Sequence, residues 1–262
     1  MRIEKAKKTK IKQIFNLLAS KYGHYAQPEG QSILEHLIYY ILSYDSSITC
    51  AKKAFKAFVQ GEEFVDWNEV RVASNRNLKE FLQEFRCQPS SGEKIKKLLS
   101  NVFEKFHKLD LEFLRQKPIE EAKKILSSLP ALEKHIIPWI LAITHQGNQF
   151  PIDQKTHLIL ARLGVIPPKT EDTELDQILQ ASLDKDHILP FHRSIVEHSK
   201  KTCLEQGEMK CKRCLLRKHC LYFHLTEGEH PPQQTSLEVI EQRSKSPSHS
   251  KNKIKKRKVS QK

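Results

Sequence analysis

Four of the six cysteines, Cys203, Cys211, Cys214 and Cys220, fall within eighteen residues in the spacing C-x7-C-x2-C-x5-C. Nothing else in this 262-residue chain restricts its fold as strongly. Thiols that close can pair as disulfides or surround one metal centre. Met1–Lys12 alternates charged and apolar residues and holds no apolar run of the kind that starts an exported chain. The expectation is therefore a reducing compartment and a metal. Zinc held by four thiolates usually draws on two C-x-x-C pairs. Only one such pair is present, and a single run wrapping one cubane suits a [4Fe-4S] cluster better. Lys200, Lys201, Lys210, Lys212, Arg213, Arg217 and Lys218 outnumber Glu205 and Glu208 nearby, and cations stabilise the anion that four thiolates make of a cubane. His198, His219 and His224 could substitute as donors, which four cysteines make unnecessary. Cys50 and Cys87 fall on predicted helices and read as small core residues.

Between Ile11 and Leu225 the apolar residues recur at helical spacing, as in Ile11, Ile14, Phe15 and Leu18, then Leu34, Leu37, Ile38 and Ile41. Asp66 precedes Trp67-Asn68-Glu69, and Ser91-Gly92-Glu93 opens a long helix with Ile95, Leu98, Leu99, Val102 and Phe103 inward. Asp110 begins a short element, and Pro118 suits the first turn of a helix over 119–129. Further helices are predicted over 136–144, 156–163, 175–183 and 188–203. Alternation bounded by turn residues, the mark of strands, is missing, so the fold class is all-α with about ten helices. No apolar run approaches the roughly 20 residues of a membrane-spanning helix. With 8 glycines there is neither a G-x-G-x-x-G nor a Walker A phosphate loop.

The net charge of +14 sits at the ends. Residues 242–262 carry nine Lys/Arg and no acid, and residues 1–12 carry six Lys/Arg and one Glu, which leaves 13–241 neutral. The expectation is a basic arm over 1–12 and a disordered basic tail over 226–262, acting as phosphate-seeking arms or as solubilisers. Residues 252–258 (NKIKKRK) also pass as a nuclear localisation patch.

The cysteine loop behind a long helical body resembles the endonuclease III branch of the helix-hairpin-helix (HhH-GPD) DNA glycosylases. That branch ends in C-x6-C-x2-C-x5-C, one residue shorter in its first gap. The resemblance covers most of 15–222. Asp66–Glu69 (DWNE), 110–115 (DLEFLR) and 119–130 (IEEAKKILSSLP) look like the helices leading into the family's hairpin. Phe150-Pro151-Ile152-Asp153, then Arg162-Leu163-Gly164, looks like the stretch carrying its essential aspartate, at the family's spacing from Leu129-Pro130. The resemblance implies a six-helix lobe at 28–134 and a second lobe of 13–27 plus 135–225, with the [4Fe-4S] loop at 203–220. DNA would bind in the cleft between them. It also implies extrusion of a damaged base and cleavage of its N-glycosidic bond, with Asp153 stabilising the oxocarbenium-like sugar. Read on its own, Asp153 is equally a helix N-cap.

The family's hairpin would fall on Pro130, Ala131, Leu132, Glu133 and Lys134, and the loop that fills the gap left by the flipped base on Tyr44 and Asp45. Lys210, Lys212 and Arg213 are expected to add phosphate contacts. Three departures stand out. The hairpin L-P-G-V-G-x-K reads Leu129-Pro130-Ala131-Leu132-Glu133-Lys134-His135, without either glycine and with an added anion, so its grip on DNA should be weak. The position of the Schiff-base lysine is His135, which cannot form an imine; it is either an acid/base group or an exposed polar residue of a first helical turn. In Leu42–Ser47 (LSYDSS), Asp45 meets DNA unfavourably or caps a helix over 47–58, and Tyr44 is a stacking wedge or a core residue. Two functions fit: a monofunctional DNA N-glycosylase of base-excision repair without lysine-based AP-lyase activity, or a catalytically inactive iron–sulfur scaffold that binds nucleic acid on the same fold. Either reading expects a monomer that binds damaged duplex DNA and no membrane, in the nucleoid of a bacterial or archaeal cell or in a nucleus.

Overall fold

The computed structural model describes residues 2–23, 31–61, 63–145, 149–205 and 208–226. Among them there is no strand, and no helix is long and apolar enough to cross a membrane. Twelve α-helices run from α1 (Arg2–Tyr22) through α2 (Ile33–Asp45), α3 (Ile48–Gln60), α4 (Trp67–Val72), α5 (Asn75–Glu84), α6 (Ser90–Phe106), α7 (Ile119–Ser127), α8 (Ile136–Thr144), α9 (Gln154–Arg162), α10 (Asp172–Gln180) and α11 (Lys185–Lys201) to α12 (Leu221–Thr226). The basic stretch expected as an arm at 1–12 is, from Arg2, the first half of α1, whose Ile11 and Ile14 are buried. The basic tail, apart from Thr226, lies outside the described residues.

Two apolar cores organise these helices. The first gathers α2 to α8 around α2, which buries residues on every side, from Ile33 and Leu34 to Leu42 and Ser43, as the central helix of a bundle must. Ser32 starts α2 with a capping box, its hydroxyl accepting from Glu35 N–H while Glu35 accepts from Ser32 N–H at 2.8 Å. The second core packs α1, α9 and α10 around α11. Ile136, Ile137, Trp139, Ile140 and Leu141 of α8 belong to the first core, not to the second lobe that the resemblance assigns them to. Cys87 is buried in the loop after α5 rather than on a helix.

Gly164 fixes how the chain's last described helix docks. It ends α9 in the left-handed region (φ +67°), where Val165 N–H reaches back to Leu160 O at 3.0 Å. A Cβ there would stand 2.9 Å from Leu221 Cβ, on the helix that follows Cys220. Gly164→Ala combines backbone strain with a clash, so we expect a loss of about 1–3 kcal/mol in urea unfolding.

Candidate active site and cysteine loop

Asp153 enters α9 as its N-cap, with Oδ1 accepting Thr156 N–H at 2.7 Å. Oδ2 faces the first core: Tyr44 O–H donates to it at 2.7 Å, and His192 Nε2 of α11 lies 3.5 Å away. Only 2% of the side chain is exposed. Burial by itself would raise this carboxyl's pKa. His192, Thr156 N–H and Tyr44 O–H outweigh burial and hold it well below the usual carboxylate range. The cap and the ionised carboxylate are one residue, so the two readings of Asp153 do not exclude each other.

Tyr44 is in the last turn of α2, not in an open loop. Its ring stacks on Tyr40 (centroids 5.5 Å apart) and leans on His135 (5.0 Å), while Tyr40 stacks on His192 at 6.3 Å. Burial and the Asp153 charge push the Tyr44 hydroxyl far above its ordinary range, so it remains a donor. His135 is buried just before α8, not exposed as one of its two readings supposed, and burial pulls its imidazole down toward the neutral form. Four polar atoms in this cluster, Tyr40 Oη, Thr156 Oγ1 and both ring nitrogens of His192, are buried without a protein hydrogen bond. Asp45 does not cap α3. Ser47 does, and Asp45 instead pairs with Lys94 of α6 at 2.8 Å.

Two lysines of the second core grip the end of α2. Lys200 Nζ donates to Ser43 O at 2.6 Å, to Ser46 O at 2.9 Å and to Glu197 Oε1 at 3.3 Å. It takes up last-turn carbonyls that would otherwise lack partners. Lys155 Nζ sits 3.6 Å from the Tyr44 ring centroid and 3.3 Å from Tyr44 O. Sequence reasoning passed over Lys155 and His192, and read Lys200 only as a cation beside the cysteine loop. A lysine in the first turn of a helix, where the dipole disfavours a cation, was the available signal for Lys155; the other two carried none.

Burial, reinforced by Arg193, pulls Lys200 down to about 7. The unfolded chain then holds a proton that the folded chain lacks between about pH 7 and the ordinary lysine value near 10.4. Stability attributable to Lys200 therefore rises with pH through that window, and below it the burial cost is present in full. Urea stability of the wild type relative to Lys200→Met should improve from pH 7 to pH 9.5. Parallel trends would mean that the amine titrates normally.

The four clustered cysteines are free thiols lining one cavity with Arg162, His198 and Tyr222. Arg162 is buried and donates to Cys203 Sγ at 3.2 Å and to the Cys203 and Leu204 carbonyls. Burial pushes the Cys211 thiol up to about 11 and Cys220 up to about 12, with the neighbouring cysteines adding to both shifts. Among the described residues no three His, Cys, Asp or Glu side chains already stand at ligating separation. The donor set nevertheless fits a polycationic cluster: four thiols in one cavity that resist ionisation together and are relieved by a bound cation.

No family model matches the chain. Its sequence is 23% identical over 213 residues to a protein of Methanocaldococcus jannaschii named a candidate DNA repair glycosylase, covering 80% of this chain and 96% of that one. Similarity to the plant protein ROS1C of rice is 26% over 176 residues, and to the DNA glycosylase/AP lyase ROS1 of Arabidopsis thaliana 23% over 176 residues. Each match covers 61% of this chain but only 9% and 13% of those long plant proteins. The fold matches that of endonuclease III in a non-covalent complex with DNA, at a TM-score of 0.57 and 16% identity, over 82% of this chain and 95% of that one. In sequence this chain is thus similar to proteins named as DNA glycosylases, and it has the fold of endonuclease III.

The turn at 129–135 departs in structure as well as in sequence from the hairpin that the resemblance leads one to expect. The described residues with positive φ are Gly23, Gly61, Arg86, His107 and Gly164, so the turn at 129–135 has none. Ala131 N–H is taken by Asn101 Oδ1 at 3.1 Å and Leu132 N–H by Leu129 O at 3.0 Å. Leu132 is buried in the first core, so its side chain is not the DNA contact expected of it. Pro130, Glu133 and Lys134 are exposed, with Glu133 3.7 Å from Lys94. In the cysteine loop Lys210, Lys212 and Arg213 are exposed too. The double variant Ala131→Gly/Glu133→Gly removes an anion and frees the turn. It should tighten duplex binding about fivefold, or roughly 1 kcal/mol. Unchanged affinity would mean that the turn does not face DNA.

Proposed function

We propose that the chain is a DNA N-glycosylase of base-excision repair, acting on damaged duplex DNA and releasing a base without strand cleavage by a hairpin lysine. The observation that carries this reading is Asp153: a carboxylate kept ionised at a junction of the two cores, at the start of α9. As a base leaves, positive charge develops on the sugar, and a fixed negative charge beside it lowers that barrier without reorganisation. For the sugar to reach Asp153, the Tyr44 ring has to swing aside and release Oδ2. His135, neutral and lacking a nucleophilic amine, replaces the strand-cleaving lysine. Cys203, Cys211, Cys214 and Cys220 would hold a [4Fe-4S] cluster, which supplies a fixed anchor for the loop bearing Lys210, Lys212 and Arg213. The cover that Tyr44 and His135 place over Asp153, with the occupied hairpin N–H groups, favours a second reading: the same fold binding nucleic acid without chemistry. A panel of lesion-bearing duplexes decides between them. The first reading expects strand breaks that appear only after alkali, and the second expects none.

A further inference from the structure

His198 is a buried histidine that this function leaves unused. It stands in the last turn of α11, only 1% exposed, and its carbonyl accepts Cys203 N–H at 2.9 Å. Its ring lines the cysteine cavity and also meets Tyr22, the last residue of α1. Nδ1 lies 3.0 Å from Tyr22 Oη, and Nε2 lies 3.6 Å from Cys214 Sγ, a separation that a large sulfur acceptor allows. Tyr22 Oη is also 3.3 Å from Thr202 Oγ1, to which Lys21 Nζ donates at 3.4 Å. These contacts fix which ring nitrogen carries a proton. Lysine only donates, so Thr202 Oγ1 accepts from Lys21 and turns its own hydroxyl proton toward Tyr22 Oη. Tyr22 then gives its single proton to the nearer acceptor, Nδ1. An imidazole whose Nδ1 accepts carries its proton on Nε2, the nitrogen that faces Cys214. A sulfur bound to metal has no proton to give, so only the imidazole can donate in that pair.

We propose that His198 donates through Nε2 to the Cys214 sulfur, and that Tyr22 of α1, by holding this tautomer, sets how readily the centre accepts an electron. The inference rests on the reading above that the four cysteines hold a [4Fe-4S] cluster. His198 is then a positioning residue and not a ligand, since the cysteines already fill the set. Reduction adds negative charge to the sulfurs, so a donor aimed at one of them favours the reduced form. Arg162 acts in the same sense on Cys203, and the backbone N–H groups of Leu216 and Arg217 bear on Cys214 as well. His198 differs from these in its second nitrogen. Its proton is placed from α1, 176 residues away in sequence, so the docking of the first helix reaches the cysteine centre through two side chains.

The test uses the full chain, purified anaerobically, with its iron counted and its midpoint potential measured by mediated titration with dithionite. Wild type is compared with Tyr22→Phe, His198→Leu and His198→Gln. Tyr22→Phe removes one hydroxyl and leaves His198 and all four cysteines in place. It and His198→Leu should move the oxidised-to-reduced ratio at a fixed potential at least threefold toward the oxidised form, roughly 30 mV at about 59 mV per decade for one electron. His198→Gln puts an amide N–H near the place of Nε2–H and should recover most of that shift. A merely structural histidine would not separate glutamine from leucine in this way. An iron-loaded wild type whose potential is matched by Tyr22→Phe and His198→Leu would overturn the proposal, as would a glutamine variant shifted as far as the leucine one. If His198→Leu takes up no iron, Tyr22→Phe alone decides. A wild type that holds zinc in place of iron removes the cluster reading and this inference with it, whereas unmoved potentials in iron-loaded protein remove the inference alone. Base release plays no part in the readout.

Discussion

Asp153→Asn should abolish base release, by roughly 10²–10³ in rate or about 3–4 kcal/mol in the barrier, while leaving duplex affinity equal or higher. The lost charge stabilises the sugar only as the base departs. In the ground state the same charge repels nearby phosphates, so its removal costs no binding. The fold should tolerate the change. Asparagine caps helices about as well as aspartate: its Oδ1 can still accept from Thr156 N–H, while its amide nitrogen faces the Tyr44 hydroxyl, which has to turn and accept instead. Single-turnover release, duplex affinity and thermal melting on the same two proteins separate these effects. A variant that melts early and binds poorly would make Asp153 a structural residue. His135→Ala should change release by less than about tenfold, since no obligatory proton transfer is assigned to it.

Cys211→Ser, or Cys214→Ser, should remove the iron and loosen the C-terminal end of the second core. Leu216 and Tyr222 are buried in that region, while the loop from Cys211 to Cys220 has no regular structure beyond short 3-10 turns at Cys211–Arg213 and Arg217–His219. Without the centre, buried Arg162 faces thiols that burial keeps protonated. Loss of a metal anchor belongs to the small class of changes with large effects, here a fall in melting temperature on the order of 10 °C. Anaerobically purified wild type should be brown with about four irons per chain, and the variants colourless. A colourless wild type with one stoichiometric zinc, or variants that melt like it, would contradict this.

The helices were legible because their signals are local. Stripes such as Ile95, Leu98, Leu99 and Val102 became the buried face of α6, and Asp153 could be placed from its spacing to Leu129-Pro130. What surrounds Asp153 was not legible. Tyr44 meets it across 109 residues of sequence, and neither the stripe of α2 nor the wedge role expected of Tyr44 encodes that hydrogen bond. The exposed alternative for His135 arises because a residue preceding a helix carries no periodicity. Only the docking of α8 on the first core, beneath Tyr40 and Tyr44, buries it. Leu132 was assigned by position in a motif, whereas its apolar side chain follows the nearest core. Of the two readings of Asp45, the cap fails because Ser47, two residues on, takes that place.

The most direct measurement is the free base itself. Wild type, purified anaerobically with its cysteine centre intact, is incubated with duplexes carrying single oxidised, alkylated or deaminated bases, and the supernatant is assayed for released base by mass spectrometry. The account predicts that at least one lesion yields free base in equal amount to alkali-sensitive abasic sites, and that Asp153→Asn yields none at the same protein concentration. Duplexes that are bound but left intact across the whole panel, with Asp153→Asn binding them just as well, would show that this fold keeps DNA in its cleft and performs no excision.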